Sequence, residues 1–166
     1  MTEEADEFVV RTLRNYDEKD FCDVAGKDLD LETEEEKKEA DERDESEKEI
    51  TDFVKEVLGD EVSEVKLSRK LKTHAVCLST AGDVSLEMEK YFASIPGDSE
   101  ANKVKAKRVL EINADHPAYA ALKKAYSEDK DRAKAMAGIM YSQALLIAGM
   151  PMDDVLKYSE DVFSLF

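Results

Sequence analysis

Residues 129–166 read DKDRAKAMAGIMYSQALLIAGMPMDDVLKYSEDVFSLF, and this stretch predicts a helical hairpin. The first helix begins at Asp129 or Asp131, since a carboxylate there can accept hydrogen bonds from the free amides of the first turn. Apolar residues then recur at helical spacing. Gly149 and Pro151 follow, a pair typical of an abrupt helix end.

A second helix follows after a very short connection, so the two helices must lie antiparallel or nearly so. Asp153 and Asp154 start this second helix. Its predicted inner side carries Val155, Leu156, Val162, Phe163 and Phe166.

The first helix of this hairpin is apolar around most of its circumference, which is more than one small sheet can cover. Either the hairpin packs on the chain's own sheet, or two hairpins related by a two-fold axis form a four-helix bundle. We favour the homodimer, because an interface of about 1,600 Å² has ample gross apolar driving force. The candidate interface residues are Met136, Met140, Ala144, Ile147, Leu156, Val162 and Phe163.

Three short apolar runs upstream of the hairpin predict strands, at 62–67, 75–79 and 108–112. Helical patterns separate these runs, and Pro117 suits the first turn of the helix after the third one. The expected fold is therefore α+β, with a small three-stranded sheet packed against helices.

Between the second and third strands, Asp83 is the predicted cap of a helix that runs to about Ile95. Leu86 lies off the main apolar side of this helix. The apolar side of a helix is ordinarily buried in the core. Met and aromatic residues also suit an exposed helix that binds other proteins, so both interpretations stay open. The apolar stripe consists of Val84, Met88, Tyr91, Phe92 and Ile95.

The first third of the chain is dominated by charge. Residues 4–14 predict a short amphipathic helix, and 21–24 resemble a strand. Residues 32–49 are nearly all charged, which fits either a solvated linker or the exposed start of a helix. An apolar helical face begins only at Ile50, and Gly59 suits the end of that helix.

Composition excludes several classes of protein. The net charge of −16 argues against nucleic-acid binding, which needs clustered Lys and Arg. No apolar run is long enough to span a bilayer, and acids stand where a secretion signal would be basic, so we expect a cytoplasmic protein without a membrane partner. The two cysteines, Cys22 and Cys77, do not make a disulfide framework.

Few residues are arranged for chemistry. The six glycines form no nucleotide-binding loop. His74 and Cys77 are a single pair of metal-ligand types, whereas a closed zinc site needs about four ligands, so no metal is expected. His116, next to Pro117, is better placed to start a helix than to catalyse. We therefore predict no catalytic residue, and a small hydrolase using His116 or Cys77 is a remote alternative.

Three segments have a familiar order. Residues 58–71 read LGDEVSEVKLSRKL, 110–117 read LEINADHP, and 143–146 read QALL. Together they resemble the C-terminal domain of the heat-shock protein 90 (Hsp90) chaperones of the bacterial type, over roughly residues 50–166. Residues 4–31 resemble the end of that family's middle domain.

The resemblance implies three segments: a remnant of the middle domain at 1–31, a charged linker or exposed helix start at 32–49, and a C-terminal dimerisation domain at 50–166. It also implies an exposed helix at 84–95 that binds partly unfolded client proteins through Val84, Met88, Tyr91, Phe92 and Ile95. ATP and magnesium would belong to an N-terminal domain of the parent chaperone, so we expect neither a cofactor nor ATPase activity in this chain. The alternative function is a free-standing acidic adaptor that binds one specific partner through 84–95.

Overall fold

A computed structural model describes residues 6–21, 42–95 and 104–166. The chain divides into two compact units, residues 1–37 and 38–166. The predicted strand at 21–24 and residues 32–41 of the charged segment lie almost wholly outside the described residues.

The first unit contains helix α1 (Asp6–Leu13) and a β-hairpin of β1 (Asn15–Tyr16) and β2 (Lys19–Asp20). The helix confirms the prediction for 4–14. Asp17 and Glu18, at the tip of the β-hairpin, both have positive φ angles, 52° and 61°. A two-residue turn of this kind matches the right-handed twist of the strands it joins.

The second unit is built on a three-stranded sheet, which confirms the expected α+β class. Its strands are β3 (Glu64–Leu67), β4 (Val76–Thr80) and β5 (Arg108–Ile112), in the order β3-β5-β4. The third predicted strand has the observed bounds, and the first two are shifted by one or two residues. β5 pairs in parallel with β3 and antiparallel with β4, so the most buried of the three strands is central.

The described part of the second unit contains five α-helices, besides a short helical stretch at 42–46 that ends in a turn at Glu47 and a 3-10 helix at Gly59–Glu61. Gly59, with a φ angle of 54°, follows the first of the five, as predicted. The helices are α2 (Lys48–Leu58), α3 (Leu86–Ser94), α4 (Pro117–Glu128), α5 (Lys130–Ile147) and α6 (Val155–Phe163).

The core lies between the sheet and helices α2, α4 and α5. Leu110 and Ile112 of β5 are fully buried in it, together with Val54 of α2 and Leu122 of α4. Six residues of α5 reach the core, and three of them, Ala133, Ala137 and Ala144, are small and have no accessible surface. Small side chains allow α5 to approach the sheet closely. Much of the apolar surface of α5 is therefore already buried within its own chain.

The predicted start of α3 was wrong. The helix begins after Ser85, whose hydroxyl accepts a hydrogen bond of 3.0 Å from the amide of Met88. Asp83 lies two residues too early to make that bond. A serine and an aspartate are equally good caps by residue type, so the sequence alone did not distinguish them.

Candidate interaction surfaces

Both helices of the α5–α6 hairpin begin at an aspartate, as the sequence predicts. Asp129 Oδ1 accepts hydrogen bonds of 3.1 Å from the amides of Asp131 and Arg132. Asp154 accepts one of 2.8 Å from the amide of Lys157. The structure thus selects Asp129 over Asp131, and Asp154 over Asp153, as the capping residues.

The turn between the two helices is closed by backbone hydrogen bonds around Gly149. The amide of Met150 donates to the carbonyl of Leu145 at 2.9 Å, and that of Gly149 to Leu146 at 3.1 Å. Gly149 has a φ angle of 64°, which a residue without Cβ adopts at little cost. Met150 and Leu145 are both buried, the apolar contact that accompanies this helix ending.

Helix α6 faces α5 largely with polar side chains. A Cβ on Gly138 would lie 3.4 Å from Asp161 Oδ2, so the two helices approach closely there. Asp161 also pairs with Lys157 at 2.6 Å, and the side-chain amide of Gln143 donates to the hydroxyl of Tyr158. The apolar residues of α6 are therefore left on its other side.

This arrangement corrects the predicted inner side of α6. Val155, Leu156, Phe163 and Phe166 do not face the chain's own core, and only Val162 is half-buried. Polar side chains of α6 contact α5 on the side where these apolar residues were predicted to lie. The four exposed residues and two at the end of α5 are the large apolar side chains that the hairpin leaves exposed, and we call them the hairpin face: Leu146 (52% exposed), Ile147 (55%), Val155 (61%), Leu156 (78%), Phe163 (73%) and Phe166 (101%).

The seven candidate interface residues fall into three groups. Ile147, Leu156 and Phe163 belong to the hairpin face, and Met136 and Val162 are partly buried. Met140 and Ala144, in contrast, are buried in the chain's own core, packed among residues of the second unit. They have almost no surface left to offer to a second copy.

A second surface carries the apolar stripe: Met88, Tyr91 and Phe92 lie within helix α3, and Val84 and Ile95 flank it. Among the described residues, no member of the stripe belongs to the core cluster, whereas Leu86 packs against it. Tyr91 is 38% exposed and the other four are intermediate. The rings of Tyr91 and Phe92 meet edge to face, with centroids 5.9 Å apart.

On its other side, α3 is held by a buried carboxylate. Glu89 Oε1 accepts a hydrogen bond of 2.7 Å from the guanidinium of Arg108, and Oε2 accepts one of 3.0 Å from the amide of Ala106. Sequence reasoning missed this contact. An acid in the middle of an apolar helix and an arginine in an apolar strand were the available signals.

The residues considered for chemistry have structural roles. His116 Nδ1 accepts a hydrogen bond of 3.1 Å from the amide of Ala118, so it caps α4 as predicted. Burial and the neighbouring carboxylate of Glu111 raise the pKa of Cys77 to about 11. A thiol that stays protonated at neutral pH is a poor nucleophile and a poor metal ligand.

Two findings bear on the predicted absence of a metal and of a membrane span. Across the described ranges, no group of three or more His, Cys, Asp or Glu side chains is arranged to hold a metal ion. None of the helices described combines the length and the apolar character that crossing a bilayer requires.

A small α+β domain with two apolar surfaces of this kind is typical of a protein that binds other polypeptides. The chain belongs to the Hsp90 family: a family model described as Hsp90 protein matches residues 1–166. This confirms the resemblance to the C-terminal region of that family.

Bacterial relatives agree with this assignment. The chain is 43% identical over 164 residues to the chaperone protein HtpG of Clostridium acetobutylicum, covering 99% of this chain and 26% of the relative. It is 42% identical over 161 residues to HtpG of Shouchella clausii and 37% identical to that of Bacillus subtilis, each covering 97% of this chain and 25% of the relative. The chain thus spans about a quarter of the length of the relatives it matches.

Proposed function

We propose that this chain is the homodimerisation and client-contact region of an ATP-dependent molecular chaperone. The observation that supports dimerisation is the hairpin face, an apolar surface contributed by α6 and the end of α5. Single exposed apolar residues are common on proteins, but six large ones on one helical hairpin are not.

A second copy is the occupant that suits this face. A two-fold axis brings identical apolar patches together, and two antiparallel helix pairs then make a four-helix bundle. Burying one Leu or Phe side chain is worth about 1.5–3 kcal/mol, so several on each copy can offset an association cost of about 4–15 kcal/mol. The net charge of −16 on each chain opposes association and makes such a localised apolar contact necessary.

The same proposal assigns α3 to contact with partly unfolded polypeptides. Its partly exposed stripe combines Met88 with two aromatic rings. A thioether is flexible enough to fit the varied apolar segments that unfolded chains expose. The competing function, an acidic adaptor for one specific partner, would use the same helix. The HtpG relatives favour the chaperone.

ATP binding and hydrolysis are assigned to the remainder of the parent protein. The matched relatives are about four times longer than this chain. In this proposal the chain joins two parent molecules and contacts clients, while ATP and magnesium are bound elsewhere.

Light scattering on the full 166-residue chain tests the dimer. At about 20 µM, well above a dissociation constant of about 1 µM, the measured mass should be twice that of one chain. Leu156→Glu with Phe163→Glu should give folded monomers, because each substitution would bury a charge in the interface. Ala121→Glu adds the same kind of charge on the exposed side of α4 and should leave the dimer intact. A monomeric parent chain would refute the proposal.

A further inference from the structure

Helix α3 is attached to its domain by an ion pair with little accessible surface. The side chains of Arg108 and Glu89 are only 13% and 9% exposed. Both carboxylate oxygens of Glu89 accept hydrogen bonds, one from Arg108 and one from the amide of Ala106. Buried charges are stable only when they are paired and hydrogen-bonded in this way.

The pair is itself fixed from the other side by α5. The second terminal nitrogen of Arg108 donates a hydrogen bond of 2.8 Å to the hydroxyl of Tyr141. That hydroxyl also lies 3.2 Å from Glu61 Oε2 and 3.3 Å from the Glu61 carbonyl oxygen. Arg108 is therefore held directly by α3 and α5, with Glu61 reached through Tyr141, and its planar guanidinium offers Glu89 one fixed direction.

The ion pair and the apolar stripe lie on different sides of α3. Each helical residue turns the side chain by about 100°, so Ile95 lies about 180° from Leu86 around the axis. On the same count, Met88 and Tyr91 lie about 200° and 140° from Leu86. Leu86 and Glu89 face the domain, most of the stripe lies on the other side, and Phe92, about 60° from Glu89, lies at the boundary.

Apolar burial alone does not explain this orientation. The side of α3 that faces the domain carries one large apolar residue, Leu86, whereas three residues of the stripe lie within the helix bounds. Because the hydrophobic effect grows with the apolar area removed from water, a helix free to turn about its axis would bury the stripe. Turning α3 would instead take Glu89 from Arg108 and leave two charges without their partners.

We propose that the Glu89–Arg108 ion pair sets the rotational orientation of α3 and thereby keeps the apolar stripe available to client polypeptides. Glu89 and Arg108 are then positioning residues for the client contact, and this inference rests on the proposed function of α3. In physical terms, the ionic contact outweighs the free energy that the helix would gain by burying its apolar stripe.

The rate of thiol labelling measures this orientation without any client. In a full-length background with Cys22→Ser and Cys77→Ser, the stripe position is probed by Met88→Cys. An exposed position off the stripe is probed by Ser94→Cys. Removing the charge with Glu89→Gln should slow the labelling of the cysteine at 88 at least about tenfold and leave that at 94 within about twofold, since the rate follows the population of the exposed state.

Two controls separate orientation from folding. Glu87→Gln removes an exposed charge from the same helix and should change neither rate. The exchanged pair, Glu89→Arg with Arg108→Glu, should restore the rate at position 88. Should Glu89→Gln fail to fold, Arg108→Lys replaces it, since lysine keeps the charge but lacks the fork that contacts Glu89 and Tyr141 together. Unchanged rates at both positions, or a rise at both, would overturn the proposal.

Binding to a permanently unfolded protein, reduced and carboxymethylated α-lactalbumin, is measured separately with Met88 intact. Weaker binding by Glu89→Gln, together with slower labelling, is the expected result. Slower labelling with unchanged binding would leave the orientation inference standing and refute the client function of α3. Unchanged labelling with weaker binding would refute the orientation inference and leave the client function of α3 standing.

Discussion

The hydroxyl of Tyr119 donates a hydrogen bond of 3.0 Å to Glu47 Oε2, across 72 positions of the chain. Lys123, one turn further along α4, donates to the other oxygen of the same carboxylate at 2.5 Å. Although partial burial raises the pKa of Glu47, these two hydrogen bonds more than compensate and hold it below its usual value. Glu47 thus connects the charged segment before α2 to the buried side of α4.

Removing this contact should destabilise the fold measurably. Tyr119→Phe keeps the buried ring but deletes the donor to a carboxylate, so the unfolding free energy should fall by about 1–2 kcal/mol in urea denaturation. The matched control is Tyr126→Phe, whose hydroxyl donates at 2.7 Å to the exposed carboxylate of Glu49. That variant should lose no more than about 0.5 kcal/mol. Equal losses would mean that burial of the contact is unimportant.

Glu111, in the central strand, should make stability depend on pH. Burial raises its pKa, but hydrogen bonds from Ser79 and Ser68, with the nearby ammonium of Lys66, bring it below the ordinary value. A carboxyl whose folded pKa is depressed contributes stability above its unfolded pKa and loses it as the pH falls through the folded pKa.

The measurement is urea denaturation of the wild type and Glu111→Gln between about pH 6 and pH 2. The difference in unfolding free energy between the two should shrink as the pH falls. Glu64→Gln changes an exposed acid on β3 and should run parallel to the wild type. A constant difference for Glu111→Gln would contradict the depressed pKa.

Met140→Glu and Phe163→Glu should behave differently although both residues were candidates for the interface. Met140 is buried in the core, so a carboxylate there should cost at least about 3 kcal/mol of unfolding free energy, with loss of the cooperative transition if the cost is higher. Phe163 is 73% exposed, so its substitution should leave the melting temperature of the monomer nearly unchanged and weaken self-association. Circular dichroism and light scattering measure the two effects. Folded monomers of Met140→Glu would show that the core assignment is wrong.

Substitutions on the stripe should reduce client binding more than stability. Met88→Ser with Phe92→Ser removes two partly exposed apolar side chains from α3 and should weaken binding to an unfolded polypeptide at least about tenfold, while the unfolding free energy falls by less than about 1 kcal/mol. Leu86→Ser on the opposite side, which packs against the core, should do the reverse. A large loss of unfolding free energy in the double variant would show that the stripe is part of the core.

The sequence predicted those elements whose signals are local. The apolar run 108–112 has the bounds of β5, and the capping aspartates and Gly149 mark the ends of the hairpin helices. The β1–β2 hairpin was missed because Glu18 is not a residue typical of positive φ angles, and Asp17 lacks the glycine that usually follows it in such turns. Apolar spacing alone cannot tell Met140, which its own chain covers, from Phe163, which its chain leaves exposed. The contact between Glu89 and Arg108 could not be predicted from local patterns, because Arg108 lies 19 positions later, on another element.

The strand order has a consequence for how this domain acquires its structure. β5 is the last strand in the sequence and the middle one in space, so both β3 and β4 find their partner only in it. During synthesis those two strands have nothing to pair with until residue 112 has been made. The register of Leu110 opposite both Val65 and Leu78 then joins segments more than thirty positions apart in one cooperative step. A nascent chain that stalls before that point holds two unpaired strand edges, the kind of surface that aggregates most readily.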